Sequence, residues 1–218
     1  MLLIFDCDGV VIDSMLLHTE VESEAYQNIG IKISSQDLVR RFSGISQSEV
    51  DLILGKETGV SIPPDFAKSL EAQKKRVFAE RLQPMMHLRE ILEDDLWDIP
   101  RCIASGRDLD GLKHDLTIVN LYDLFAPHLF SSEMVARGKP YPDLFFHAAN
   151  QMKTQCNNCF VIEDGVSGVK AGVAAGMTVF GFTGGSHCDE EHAGQLKAAG
   201  ASRIFSNMSD LPKLIGSE

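Results

Sequence analysis

The sequence predicts an α/β fold: a parallel-sheet core interrupted by an all-helical insertion. Three observations predict it. Short, unbroken apolar runs recur along the chain, as strands buried on both faces do. Stretches with apolar residues at helical spacing separate them, and strand–helix alternation of this kind builds a parallel sheet. One long stretch, residues 14–83, carries helical spacing throughout and no strand pattern.

The first strand is expected at residues 2–5, an apolar run stopped by Asp6-Cys7-Asp8-Gly9. In the insertion, Val21, Ala25 and Ile29 share a helix face. Leu38 and Phe42 share another, then Val50, Ile53 and Leu54, then Phe66, Leu70 and Val77. Glycines at 30, 44, 55 and 59 and the Pro63-Pro64 pair punctuate these helices. The insertion is too long for a plain crossover and reads as a second domain over residues 15–82. The α/β core is then 1–14 and 83–218, with Asp13 and Ser14 at one junction and residues 81–84 at the other. Beyond it, Leu88, Ile91 and Leu92 follow helical spacing, with Pro84 suited to a first turn. Further strands are expected at 102–104, 128–130, 160–162 and 178–182. Helices between them carry Phe145, Ala148 and Ala149, then Val169, Val173 and Ala174.

Composition narrows the function. With 31 acidic and 20 basic residues the net charge is −11, which repels nucleic acid and anionic lipid. The densest basic cluster, Lys74-Lys75-Arg76, reads as a solvated helix face among Glu71 and Glu80. The 5 cysteines are an odd and irregularly spaced set, which argues against a disulfide framework. Cys156-x-x-Cys159 lacks the second pair or the histidines of a zinc site and reads as structural. Met1 to Phe5 is short and without a basic leader, so no signal peptide is expected, and no apolar stretch is long enough to span a bilayer. The expectation is a soluble, cytoplasmic protein.

Four motifs carry chemistry. Asp6-Cys7-Asp8-Gly9-Val10 places two carboxylates at a strand's end, where open parallel sheets bind ligands. Like charges so close call for a metal, a proton held at neutral pH, or both. Glu163-Asp164-Gly165 repeats the pattern after another apolar run, and oxygen-only donors suit Mg²⁺; acids at a helix N-terminus complementing its dipole are the plainer reading. Ser105-Gly106-Arg107 offers a hydroxyl and backbone N–H groups after a third strand, an anion cradle or a helix N-cap. Arg137-Gly138-Lys139-Pro140-Tyr141-Pro142-Asp143 holds a lysine in a stiff loop, set to balance carboxylates or bind a phosphoryl oxygen, or else exposed in a turn.

In this order the four motifs resemble the haloacid dehalogenase superfamily, and the resemblance runs from Leu2 to about Phe182. It implies a Rossmann-like core with a helical cap, as in the β-phosphoglucomutase-like and sugar-phosphatase group. Carried over, it implies Asp6 as the nucleophile on phosphorus and Asp8 as general acid and then base. Ser105 and the Gly106 N–H would bind the transferring phosphoryl group, and Lys139 would hold Asp6 and the phosphoryl oxygens. Mg²⁺ is the implied cofactor, ligated by Asp6, the Asp8 carbonyl and Asp164, with Glu163 bound directly or through water. The family's dehalogenases lack the second aspartate, so Asp8 favours phosphate monoesters.

His18 matches a hinge histidine of the group, with a packing histidine as the plainer reading. The stretch Phe42-Ser43-Gly44-Ile45-Ser46-Gln47 resembles its specificity loop. The mutase has an arginine where this chain has Gln47 and an aromatic where it has Glu22. Both departures weaken grip on a second phosphate and favour a phosphatase on a small sugar phosphate. The alternatives are a mutase or a catalytically silent binding protein. Gly44, Gln47, His18 and Arg107 are expected substrate contacts, with Arg41, Lys74 and Lys75 weaker ones. His187 and His192 fall in a glycine-rich loop near the sheet's carboxyl edge, without an assigned role.

Overall fold

A computed structural model describes residues 1–42, 45–94 and 99–216 of the chain. Strand β1 (Leu2–Phe5) is buried at all four positions, as its uninterrupted apolar sequence requires. It lies inside a six-stranded sheet with β2 (Arg101–Ser105), β3 (Leu129–Ser131), β4 (Cys159–Glu163), β5 (Thr178–Phe182) and β6 (Arg203–Phe205). The order is β3-β2-β1-β4-β5-β6, and each neighbouring pair is parallel. Ile4 faces Cys102 on one side and Val161 on the other. The chain builds outward from β1 through β2 to β3, then returns to lay down β4, β5 and β6. The reversal therefore lies between β1 and β4, and the crevice beyond their carboxyl ends is the natural ligand site.

Alternation along β1 splits its side chains between two layers. Leu2 and Ile4 join Cys102, Ala104 and Val161 under Leu144, Phe145 and Ala148 of α5 (Asp143–Gln151) and Val169 of α6 (Val166–Ala174). On the other face Phe5 meets Phe125 edge-on at 5.7 Å. Each such fully buried side chain contributes roughly 1.5–3 kcal/mol. Two expectations change here. β6 is a three-residue edge strand, too short to show a period. Val173 is 44% exposed and Ala174 is exposed too, so the sheet-facing side of α6 keeps Val169 of the expected face and adds Gly168 and Gly172. A Cβ on Gly172 would stand 2.7 Å from Val179 Cγ2, so the glycine lets the helix pack close.

Residues 14–82 form a unit of their own, so Ser14, expected in the core, groups with the helices. It comprises α1 (Met15–Asn28), α2 (Ser35–Phe42), α3 (Gln47–Thr58) and α4 (Phe66–Arg81). The helix faces marked by sequence spacing converge: Val21, Ala25, Leu38, Phe42, Val50, Leu54, Phe66 and Leu70 form one buried cluster around Tyr26. Ile29, Ile53 and Val77 sit at its margin, partly buried. Ser46 and Glu49 cap the start of α3 reciprocally, and Gly59, in the left-handed region at φ 72°, ends it. Among the described residues, no helix is long and apolar enough to cross a membrane.

Candidate active site

The ends of β1 and β4 bring the expected acids together. The Asp6 N–H donates to the Ile162 carbonyl at 2.9 Å, tying the chain beyond β1 to β4. The Asp6 carboxylate is buried, with Lys139 Nζ 2.5 Å from its Oδ1. The same ammonium lies 2.6 Å from Glu163 Oε1, so one lysine bridges carboxylates from two strand ends. Glu163 turns its other oxygen, Oε2, to the Gly165 N–H at 2.9 Å. Its side chain occupies space that only glycine leaves at 168, where a Cβ would fall 1.7 Å from Oε1.

Asp164 is held from three directions. His187 Nε2 is 3.0 Å from its Oδ2, and His192 Nε2 donates to its backbone carbonyl at 2.7 Å. On the third side is Gly9, at φ 81°, where a Cβ would stand 1.9 Å from Oδ2. The glycine of the first motif is therefore required twice, by its backbone angle and by the carboxylate against it.

Burial raises all three acids above their ordinary values. Asp6 is pushed up to about 7 despite the opposing pull of Lys139. Glu163 and Asp164 move in the same direction, again chiefly by burial, with Lys139 and His187 respectively pulling back. Burial alone would lower the Lys139 ammonium, but Asp6 and Glu163 outweigh it and hold its proton well above the usual lysine range. Three crowded carboxylates facing one ammonium and one imidazole make a site short of positive charge.

Asp8 and Ser105 lie at the neighbouring strand ends. Arg107 Nη1 is 3.3 Å from Asp8 Oδ1 and 2.6 Å from Asp115 Oδ2, so the arginine expected to contact substrate holds the second aspartate of the first motif. Ser105 is almost wholly buried, and its Oγ accepts the Arg107 N–H at 3.2 Å. Ser131 and Ser132 donate to the Arg107 and Gly106 carbonyls at 2.6 and 2.7 Å, fixing the cradle that follows β2.

The expected contacts of the helical unit have partners within it. Gln47 donates to Tyr26 Oη at 2.8 Å and to Asp51 Oδ1 at 3.0 Å. Lys74 pairs with Glu22 at 2.6 Å, so this part of the basic cluster is a partly buried ion pair and not a solvated face. Arg41 grips Glu57 with distances of 2.7 and 2.6 Å, Lys75 lies 3.9 Å from Glu71, and His18 packs edge-on to Phe78 at 4.5 Å. Gly44 lies outside the described residues.

Sequence reasoning left two functional neighbours without a role, His187 and His192. The available signal was a strand end at Phe182 followed by Gly184-Gly185-Ser186, the pattern of a loop at a ligand edge. Asp13 anchors that loop, accepting from the Ser186 N–H at 3.1 Å and its hydroxyl at 2.8 Å.

Residues 1–176 match the haloacid dehalogenase-like hydrolase family. The chain belongs to that family. A 6-phosphogluconate phosphatase of Escherichia coli is 29% identical over 96% of this chain and 92% of its own length. A haloacid dehalogenase-like protein of unknown function from Agrobacterium tumefaciens superposes with a TM-score of 0.89 at 35% identity, covering 99% of this chain and 97% of its own. A hydrolase of the family from Deinococcus radiodurans, crystallised with phosphate and sodium bound, gives a TM-score of 0.86 at 28% identity over 99% and 94%. The site also fits the cation that haloacid dehalogenase-like hydrolases use. Asp6, Glu163 and Asp164 each offer a buried carboxylate oxygen within 4.8 Å of the others, and an all-oxygen, charge-deficient cluster suits Mg²⁺.

Proposed function

We propose that this chain is a phosphatase that hydrolyses a small sugar phosphate by way of an acyl phosphate on Asp6. The observation that carries the reading is the Lys139 bridge between Asp6 and Glu163 at the crevice where the sheet reverses. A carboxylate attacking an anionic phosphate must be aimed and screened, and a buried ammonium fixed by two strand ends does both.

In the first displacement an Asp6 oxygen forms a bond to phosphorus as the bond to the leaving oxygen breaks. Asp8, as the acid, gives its proton to that oxygen. In the second, water attacks phosphorus, Asp8 takes a proton from it, and the Asp6–phosphorus bond breaks, returning the nucleophile and releasing phosphate. Arg107 keeps the Asp8 carboxylate in place between the two steps. Ser105 and the Gly106 N–H orient the phosphoryl oxygens, and Glu163 acts by holding Lys139. Asp6, the Asp8 carbonyl and Asp164 would hold Mg²⁺, with Glu163 joining directly or through water, and the ion would supply positive charge against the phosphoryl oxygens when bound. The Escherichia coli relative, similar along almost the whole chain, supports a phosphorylated carbohydrate as the substrate class.

The test is hydrolysis of a panel of sugar phosphates and of p-nitrophenyl phosphate. Turnover should vanish on chelation, return with Mg²⁺, and be absent in Asp6→Asn. Turnover by Asp6→Asn comparable to that of the unaltered chain would overturn the proposal.

A further inference from the structure

Beside the acidic cluster, the loop after β5 gathers a second set of metal-binding groups with a different chemistry. His187, Cys188 and His192 each offer one ligand atom within 4.8 Å of the others. Cys188 Sγ is 3.6 Å from His187 Nε2, and all three residues are partly accessible to solvent. The set is soft, one sulfur and two imidazoles, where the neighbouring set is entirely oxygen.

The proton positions favour ligation. A carbonyl oxygen only accepts, so His192 Nε2 carries the proton it gives Asp164 O at 2.7 Å, and its Nδ1 keeps a lone pair. His187 turns its Nε2 towards both Asp164 Oδ2 at 3.0 Å and Cys188 Sγ at 3.6 Å. His192 has the arrangement common in metal-binding histidines: one ring nitrogen donates to a carbonyl and the other is left for a metal.

We propose that His187, Cys188 and His192 bind a soft divalent cation of the zinc class, at a site separate from the oxygen cluster of Asp6, Glu163 and Asp164. Two imidazoles and a thiolate select such a cation over Mg²⁺. The site does not depend on the phosphatase reading.

The test is cobalt titration of the whole chain in excess Mg²⁺, which occupies the oxygen cluster. A thiolate-to-cobalt charge-transfer band should grow and saturate at one equivalent. It should be retained in Cys156→Ser, lost in Cys188→Ser and strongly reduced in His192→Gln. A second measurement needs no variant. Saturating Zn²⁺ should protect Cys188 from alkylation, read by peptide mass, while partly exposed Cys156 reacts as before. Absence of the band in the unaltered chain, its persistence in Cys188→Ser, or alkylation of Cys188 at an unchanged rate would each overturn the proposal.

Discussion

Lys139 is where charge and position meet most closely in this chain. Its ammonium is buried between Asp6 and Glu163, so removing it leaves two carboxylates without their shared cation in a low-dielectric crevice. Breaking a buried ion pair by deleting one partner costs about 3–5 kcal/mol, far more than the pair itself contributes. Lys139→Ala is therefore expected to lower kcat by roughly 10²–10³-fold, as loss of one electrostatic stabiliser does. Chemical denaturation should also show lower stability, and Mg²⁺ should restore part of it. Asp8→Asn should separate chemistry from stability. It keeps the shape beside Arg107 while removing the proposed proton carrier, so turnover should fall about 10²–10⁴-fold with the thermal midpoint nearly unchanged. Gly9→Ala tests the third wall of the Asp164 pocket. The added methyl overlaps Asp164 Oδ2 and the φ of 81° strains any side chain, so Mg²⁺ affinity measured by calorimetry should drop along with activity.

At the level of elements, what could be read in advance follows from periodicity. β1 and, up to Glu163, β4 are continuous apolar runs, as strands covered on both faces tend to be. The acids at their ends were legible because polar residues interrupt such runs only where the sheet stops. The face of α6 departs from the sequence pattern for a physical reason. Its contact with the sheet is made by the absence of side chains at Gly168 and Gly172, and a hydrophobic pattern counts Val173 instead. The Arg107–Asp8 pair was illegible because residues 99 positions apart meet only through the β1–β2 register. The 184–192 loop was illegible because its partner, Asp164, lies in another element. The capping box of α3 is the opposite case, wholly local. Ser46→Ala should lower the stability of the helical unit by about 1 kcal/mol, read as a shift in its denaturation midpoint.

For the molecule as a whole, the active site sets a pH dependence with a definite sign. Asp6 has an ordinary value of 3.8 and is raised to about 7 in the fold, and Glu163 and Asp164 are raised as well. Between about pH 4 and 7 the folded chain thus holds a proton on Asp6 that the unfolded chain has released, and Glu163 and Asp164 act in the same direction. Stability from these groups falls as pH rises through that window, by at most about 1.4 kcal/mol per pH unit for each proton retained. His187 adds to the fall at higher pH. Burial would lower it, but Asp164 and Cys188 together outweigh burial and raise it from 6.5 to about 10, so its contribution is complete below 6.5 and lost towards 10. A divalent cation competes with the carboxylate protons and stabilises the charged cluster that pH exposes. The gain in thermal midpoint on adding Mg²⁺ to EDTA-treated protein should accordingly be small at pH 5 and large at pH 7.5. Taking that difference at each pH cancels the self-repulsion of a chain whose net charge is −11, because the surface charges titrate alike with and without the cation. An equal gain at both pH values would mean that the buried carboxylates are already ionised at pH 5. In that case the crowding of Asp6, Glu163 and Asp164 is relieved by Lys139 and His187 alone.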